Sequence, residues 1–170
     1  MILRRHVAAD LAALTAIHTH PAVVAGLAGV APPSAEDCWQ RLLRYAGHWA
    51  LCGFGVFAVE ERATGRLVGE AGLAGFARGL GARFDEAPEA AWVFHPHAHG
   101  KGFATEAVEA AHGWLEAWRR PARTVCIIRP ENAPSLRLAD RLGYRAFGRT
   151  GYKGTEVVML ERQPHTMAPQ

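Results

Sequence analysis

A strand, a glycine-rich turn, a helix and a second strand follow one another in the middle of this chain. The run EAAWVF, beginning at Glu89, is predicted as a strand that Pro96 stops. From Gly102 onward the apolar residues recur at helical spacing as far as Pro121. The run TVCII then has the continuous apolar character of a strand that is buried on both faces. A strand, helix and strand of these lengths predict a parallel pair joined by a helical crossover.

The flanking segments predict the rest of an α/β sheet. Ser34 and Asp37 have the spacing of a capping box at the start of a helix. Two β-rich runs separated by Thr64 and Gly65 predict an antiparallel hairpin. Asn132 is predicted to cap a short helix, and two further strands follow it and close the sheet.

Two further segments carry weaker patterns. The stretch GFARGLGARFDEAP is predicted as a glycine-broken loop or a weak strand. Trp114 and Trp118 fall on the apolar stripe of the helix that begins after Gly102, and they are predicted to lie in the core.

The composition suits one domain that needs no disulfide. With 170 residues and 49% hydrophobic content, the chain can bury a sizeable core. We expect a single domain over residues 1–162 and a flexible tail over 163–170. The three cysteines are far apart and form no CxxC pattern, which favours free thiols in a reducing compartment. No apolar stretch is long enough for a signal peptide or a membrane span, so we expect a cytoplasmic protein.

The charge distribution argues against a nucleic-acid partner. The net charge of +3 leans basic, but acidic and basic residues are interspersed and no Lys/Arg block occurs. A small anionic ligand suits this balance equally well. We expect no nucleic-acid or membrane partner, and the sequence allows a monomer or a homodimer.

The turn HPHAHGKG raises the question of a metal site. His95, His97 and His99 would share one face of an extended strand. Pro96 and Gly100 interrupt that strand, and no Asp, Glu or Cys ligand lies nearby in the sequence. The pattern therefore favours histidines in a solvated or ligand-lining turn, and we expect no metal.

The same turn has the properties of an anion site. Glycines at 100 and 102 allow close approach to the backbone, and the helix that follows presents unpaired N–H groups at its amino end. The spacing matches neither the P-loop of nucleoside triphosphatases nor the dinucleotide-binding fingerprint. A simple tight turn between strand and helix remains the alternative.

The chain resembles the GCN5-related N-acetyltransferases (GNAT), in particular the branch that includes the ribosomal-protein N-terminal acetyltransferases. The resemblance lies in EAAWVFHPHAHGKGFATEAVEAAHGWLEAW, TVCII and RPENAPSLRLADRLGYRAFGR, and it extends over nearly the whole chain. It implies an α/β GNAT fold, with a mixed twisted sheet of about six to seven strands, flanking helices and a splayed parallel strand pair. It also implies acetyl-CoA as the cosubstrate.

The resemblance assigns cofactor-binding residues. The family's turn motif corresponds here to His97-x-x-Gly100-x-Gly102, with an imidazole where a longer donor is usual. The pyrophosphate would be bound by this turn and the start of its helix, and the pantetheine arm would pair with the strand before it. The cofactor residues so implied are Trp92, Val93, Phe94, His97, Gly100, Lys101, Gly102, Phe103, Ala104, Asn132 and Ser135.

Catalytic candidates follow from the resemblance and from amine chemistry. An α-amine near pKa ~8 is far more often neutral at physiological pH than a lysine near ~10.4, so a weak base acting through water suffices for it. Glu89 is the position where the resemblance implies that carboxylate, and Glu70 is the second candidate if its strand register turns it to the same cleft. For the leaving thiolate, the tyrosine of many family members is replaced by Ala139, so Ser135 is the implied donor.

These residues predict acetyl transfer to a primary amine by direct attack in a ternary complex. The acceptor is a protein N-terminal α-amine or an amino-acid-like amine. The alternatives are another small-molecule amine, such as a polyamine or an antibiotic, and a CoA-binding sensor without turnover.

Overall fold

A seven-stranded mixed sheet organises the protein. The structure is a computed structural model that describes residues 1–27, 31–118 and 123–164. The strands are Ile2–Arg4 (β1), Val56–Glu61 (β2), Arg66–Ala74 (β3), Glu89–Phe94 (β4), Thr124–Ile128 (β5), Arg145–Tyr152 (β6) and Thr155–Arg162 (β7). Their order in the sheet is β1-β2-β3-β4-β5-β7-β6, and every neighbouring pair except β4 and β5 is antiparallel. The predicted mixed sheet and its parallel pair are confirmed.

Helices cover both faces of this sheet. They are Leu11–Thr19 (α1), Pro21–Val24 (α2), Ala35–Cys52 (α3), Ala82–Asp85 (α4), Phe103–Trp118 (α5) and Ala133–Arg141 (α6). Helix α5 packs Ala107 and Ala111 into a core that contains Ala71 and Phe94, and α6 joins the same core. Helix α3 packs Tyr45 against Val56 and Ala74 on the opposite face. The chain thus forms three layers, helix on sheet on helix.

The parallel strands β4 and β5 pair at one position only and then separate. Glu89 and Val125 form that paired position, and the Val125 N–H donates to the Pro88 carbonyl at 3.0 Å. Beyond this point β4 continues along β3, and β5 continues along β7. The two strands therefore diverge toward their carboxyl ends, which places a gap in the middle of the sheet.

The direction of the backbone shows which groups of β4 face this gap. The Pro88 carbonyl points toward β5, whereas the His95 N–H donates to the Val68 carbonyl of β3 at 2.9 Å. Because the polar groups of successive strand residues alternate in direction, those of Trp92 and the N–H of Phe94 face the gap. The backbone of Val93 faces β3.

Local sequence signals place several of these elements. The Ser34 and Asp37 capping box forms as predicted, with the Asp37 N–H donating to Ser34 Oγ at 3.1 Å. Gly65 has φ of 67° in the turn between β2 and β3, a conformation that glycine adopts without strain. The Asn132 cap of α6 is also confirmed, because its Oδ1 accepts from the Ser135 N–H at 3.2 Å.

The stretch GFARGLGARFDEAP is a loop, as predicted, and it contains the helical turn α4, whose Phe84 packs against Val125. The prediction that Trp114 and Trp118 lie in the core is wrong. Trp114 and Trp118 are 37% and 47% exposed and stack on each other with ring centroids 5.7 Å apart. The small residues of α5 face the core instead, because they let the helix approach the sheet closely.

The ends of two predicted segments lie outside the described residues. They are Pro121, the predicted end of α5, and residues 165–170 of the predicted tail. Within the described ranges, no helix has both the length and the apolar character needed to cross a membrane.

Candidate active site

A cleft of about 700 Å³ lies where β4 and β5 diverge. Its walls come from the sheet, from α3, from the segment after α2 and from the turn between β6 and β7. Six of the residues predicted from the sequence line it together, namely Glu70, Glu89, Trp92, Val93, Asn132 and Ser135. The volume is in the range of small-molecule sites.

Glu89 lies at the start of β4 and is 3% exposed. Arg78 binds both of its carboxylate oxygens, with Nε 2.5 Å from Oε2 and Nη2 2.8 Å from Oε1. The third donor of Arg78, Nη1, reaches the hydroxyl of Tyr152 at 2.6 Å. Burial raises the pKa of Glu89, and the attraction of Arg78 only partly offsets this effect. A buried carboxylate with a raised pKa is a competent general base.

Glu70 occupies the same face of the sheet, four positions farther along. It pairs with Val93 across β3 and β4, as Ala74 pairs with Glu89, so both carboxylates point to the α3 side. Its Oε1 accepts from the Tyr45 hydroxyl at 2.7 Å, lies 3.1 Å from His18 Nε2 and lies 3.4 Å from Arg41 Nη1. The register therefore meets the condition set for Glu70 in the sequence analysis.

The electrostatic environment of Glu70 differs from that of Glu89. Burial alone would raise its pKa, but His18, Arg41 and His6 outweigh burial and hold the pKa of Glu70 far below its usual range. The pKa of the Tyr45 phenol is raised in the same network, mainly by burial and secondly by the negative charge of Glu70. Glu70 is thus held ionised at neutral pH within a buried network.

Ser135 and Asn132 lie on the other wall of the cleft, at the amino end of α6. The indole N–H of Trp92 donates to Ser135 Oγ at 3.2 Å, which links β4 to α6 across the gap. Asn132 Nδ2 donates to the Gly26 carbonyl at 2.9 Å, while its Oδ1 caps α6. Asn132 therefore fixes the segment after α2 against the carboxyl end of β5.

The glycine turn lies beyond the end of β4. Gly100 and Gly102 have φ of 73° and 81°, and both are exposed with no atom within 4 Å of an added Cβ. The Glu106 N–H donates to the Gly102 carbonyl at 3.0 Å, which is the first hydrogen bond of α5. The N–H groups of Phe103, Ala104 and Thr105 therefore have no acceptor within the helix. This is the geometry of an anion site at a helix amino end.

The histidines of this turn contact one another. His95 Nδ1 and His97 Nδ1 are 2.6 Å apart, so one of the two carries the hydrogen. His99 Nε2 lies 3.2 Å from the Phe94 carbonyl. Within the described ranges, no group of three or more His, Cys, Asp or Glu side chains has an arrangement that could hold a metal ion.

Comparison with known proteins agrees with this geometry. The sequence profile described as acetyltransferase (GNAT) domain matches residues 1–145. The chain belongs to the GNAT family. A curated N-acetyltransferase of Bacillus subtilis, YnaD, itself uncharacterized, is 37% identical over 62 residues, a match that spans 35% of each chain.

Solved GNAT structures share the fold over almost the whole chain. A GNAT-family acetyltransferase of Bordetella pertussis is 31% identical with a TM-score of 0.81, and the match covers 94% of this chain and 93% of that one. A ribosomal-protein-alanine N-acetyltransferase of Brucella melitensis is 22% identical with a TM-score of 0.73, covering 96% and 99%. At that identity, the second likeness shows the shared fold alone.

The GNAT residues predicted from the sequence fall into two groups in space. Those lining the cleft are described above. The remaining ones, Phe94, His97, Gly100, Lys101, Gly102, Phe103 and Ala104, lie at the end of β4 and the start of α5, outside the cleft lining. Their assignment to the cofactor stays a prediction. One detail differs from the expected pairing of the pantetheine arm with β4. The backbone of Val93 faces β3, so only the side chain of Val93 is directed to the cleft.

The partners of the two carboxylates were absent from the sequence-based prediction. Arg78 lies in a glycine-rich loop, and Tyr152 follows it by 74 residues. His18, Arg41 and Tyr45 come from two helices on which they look like ordinary surface or core residues. No spacing pattern relates such distant positions, so only the packed structure identifies them.

Glu70→Gln should change how stability depends on pH. The ionised Glu70 contributes stability above its unfolded pKa of about 4.3, and this contribution is lost as the pH falls below that value. The variant should lose roughly 3–5 kcal/mol at neutral pH, since the removal of one partner from a buried ion pair leaves Arg41 without its anion.

Urea unfolding at a series of pH values measures this difference. Between about pH 5 and pH 3, the stability of the variant should decline less steeply than that of the wild type. Equal slopes would show that Glu70 is not held ionised by the network.

Proposed function

We propose that this GNAT protein transfers the acetyl group of acetyl-CoA to a primary amine. The main support for this proposal is the divergence of β4 and β5, together with the turn of Gly100 and Gly102 that precedes the amino end of α5. The divergence leaves strand groups of β4 without a partner on β5, and the start of α5, beyond the end of β4, presents helix amides without an acceptor in the helix. Two solved structures of similar fold contain acetyl-CoA, a phosphinothricin acetyltransferase of Sinorhizobium meliloti and yncA of Salmonella typhimurium.

Each part of acetyl-CoA has a proposed place on these elements. The pyrophosphate binds the amides at the start of α5, where Gly100 and Gly102 keep side chains out of the way. The pantetheine arm pairs with the groups of Trp92 and Phe94 that face the gap. The thioester then lies in the cleft between Glu89 and Ser135, with a β4 amide available to its carbonyl oxygen.

Direct attack balances the protons of the reaction. A neutral amine attacks the thioester carbon, the new C–N bond forms, and the C–S bond breaks. The amine proton passes through water to Glu89, whose raised pKa suits this role better than the strongly ionised Glu70. Ser135 Oγ accepts from the Trp92 indole, so its own hydrogen is free to form a hydrogen bond to the departing thiolate. The proton taken up by Glu89 then returns through water to the thiolate, which leaves as the CoA thiol.

The cofactor site is tested with Gly102→Trp. A bulky side chain at this turn should abolish acetyl-CoA binding in calorimetric titration, whereas the wild type binds. Gly65→Trp is the matched control, because Gly65 has a similar φ of 67° and also has no atom within 4 Å of an added Cβ. Both variants share the backbone strain, and only the first should lose binding. If the wild type does not bind acetyl-CoA, the proposed function is wrong.

Glu89→Gln tests the general base. The variant should lower kcat by about a hundredfold, since loss of a positioned base has typical effects of this size. In the wild type, activity should rise with pH through the raised pKa of Glu89, and the variant should lack this acidic limb. Glu70→Gln should retain the limb and much of the rate. The opposite ranking of the two variants would assign the base to Glu70.

Ser135→Ala tests the hydrogen-bond donor. We expect kcat to fall about tenfold with little change in the KM for acetyl-CoA, because the thiolate is already a moderate leaving group near pKa ~8.5. Ser135→Thr keeps the hydroxyl and should restore most of the rate. Trp92→Phe removes the indole donor while keeping Ser135, which separates the two contributions. An unchanged kcat in Ser135→Ala would exclude the role.

The same binding and transfer assays also test the alternative that the protein binds CoA without catalysing acetyl transfer. Acetyl-CoA binding without transfer to any amine would favour the CoA-binding sensor over the enzyme. The acceptors to compare are peptide N-termini, which the Brucella melitensis protein's name suggests, and small amines.

A further inference from the structure

The cleft carries more positive than negative charge. Five cationic side chains line it, from Arg41, Arg44, Arg78, Arg129 and Lys153, against three carboxylates, from Asp37, Glu70 and Glu89. Each carboxylate already has partners. Arg78 binds Glu89, the network with Arg41 binds Glu70, and Ser34 binds Asp37 with its hydroxyl and its N–H. An acceptor therefore meets a surface on which each carboxylate already has hydrogen-bond partners and the cations outnumber the carboxylates.

Arg44 and Lys153 are the two lining cations without a carboxylate partner among the described residues, since Arg129 pairs with Glu131. Arg44 is the one of the two that has a planar fork able to bind a carboxylate through two hydrogen bonds. Within the part of the chain that the structure describes, no carboxylate lies within 4.0 Å of its guanidinium. Its Cζ lies 5.5 Å from the ring centroid of Phe76 and 5.6 Å from that of Tyr45. These cation–π contacts hold the guanidinium in place, and they leave its in-plane N–H edge free for a bidentate oxyanion.

Arg44 is also close to the proposed reaction centre. The ring of Phe76 contacts both Arg44 and Arg78, the partner of Glu89, whose Cζ atoms lie 5.5 Å and 4.7 Å from its centroid. Burial raises the pKa of Glu89, and the charges of Arg78 and then Arg44 lower it, so the field of Arg44 reaches that carboxylate. Arg44 is one helical turn from Arg41 on α3 and therefore shares its face.

We infer that the acceptor is a small amine that also carries a carboxylate, such as a free amino acid, and that Arg44 binds this carboxylate. The inference rests on the proposed acetyl transfer and specifies its acceptor. The carboxylate pairs with the fork of Arg44 while the amine lies toward Glu89. A polyamine would bring further positive charge into a cationic cleft, and the amide that follows a peptide N-terminus would leave Arg44 without an anion.

Paired acceptors test the inference. Release of the CoA thiol from acetyl-CoA is followed with L-amino acids, with the α-carboxamides of the same amino acids, with spermidine and with short peptides. For at least one amino acid, kcat/KM should exceed that of its carboxamide about tenfold or more, the effect of one charge-assisted pair. Equal or better transfer to carboxamides, peptides or spermidine would overturn the inference and leave the acetyltransferase proposal standing.

Arg44→Gln identifies the residue responsible. In this variant the KM for the amino acid should rise about ten- to a hundredfold and the preference for the amino acid over its carboxamide, as a ratio of kcat/KM, should fall by the same factor, while the KM for acetyl-CoA stays the same. Arg62→Gln is the matched control, since Arg62 is exposed in the turn between β2 and β3 and does not line the cleft. Arg44→Lys should recover part of the affinity, because the charge remains and the bidentate fork is lost.

The outcomes separate this inference from the proposal beneath it. An Arg44→Gln variant that keeps the full preference for the carboxylate overturns the assignment to Arg44. Failure of every amine to accept the acetyl group, with acetyl-CoA still bound, overturns the transfer reaction and this inference together.

Discussion

The early separation of β4 and β5 is the constraint on which the rest of the structure depends. A central pair in a sheet normally satisfies its backbone groups along its whole length. Here the pair formed by Glu89 and Val125 is followed by divergence, and the inward groups of Trp92 and Phe94 face a gap. Because the strands are parallel, their carboxyl ends meet at one edge, and both following helices begin there. The Ser135 end of α6 thus lines the cleft formed by the divergence, and the glycine turn of α5 follows the end of β4.

The two buried carboxylates show how one sheet face supports different chemistry. Desolvation acts on both Glu70 and Glu89, so the partners decide the outcome. Glu70 has His18, Arg41 and Tyr45 around it, which hold it ionised and bind two helices to the sheet. Glu89 has Arg78, whose remaining donor goes to Tyr152. The partners of Glu70 hold its pKa low, so that it contributes to stability as an anion. The pKa of Glu89 stays raised, so that this carboxylate can still take up a proton.

The cleft combines a rigid floor with walls from distant parts of the chain. Its floor is the sheet, and its far wall is fixed by Asn132 holding the Gly26 carbonyl. An alanine at Gly26 would place its Cβ 3.0 Å from Asn132 Nδ2, so this approach depends on a small residue. The wall formed by α3 and the loop of Phe76 carries the uncompensated charge of Arg44.

The sequence by itself determined most of the strands and long helices and their order along the chain. Periodicity, the capping box at Ser34, the turn at Gly65 and the cap at Asn132 are local signals, because each depends on hydrogen bonds within a few residues. The strand–helix–strand unit determined the parallel pair, and the glycine turn motif indicated the family. Only the tertiary structure decided which carboxylate each arginine binds, where the strands part, and that Trp114 and Trp118 lie at the surface. Those features depend on contacts between residues far apart in the chain, and burial and pairing at such distances leave no periodic trace in the sequence.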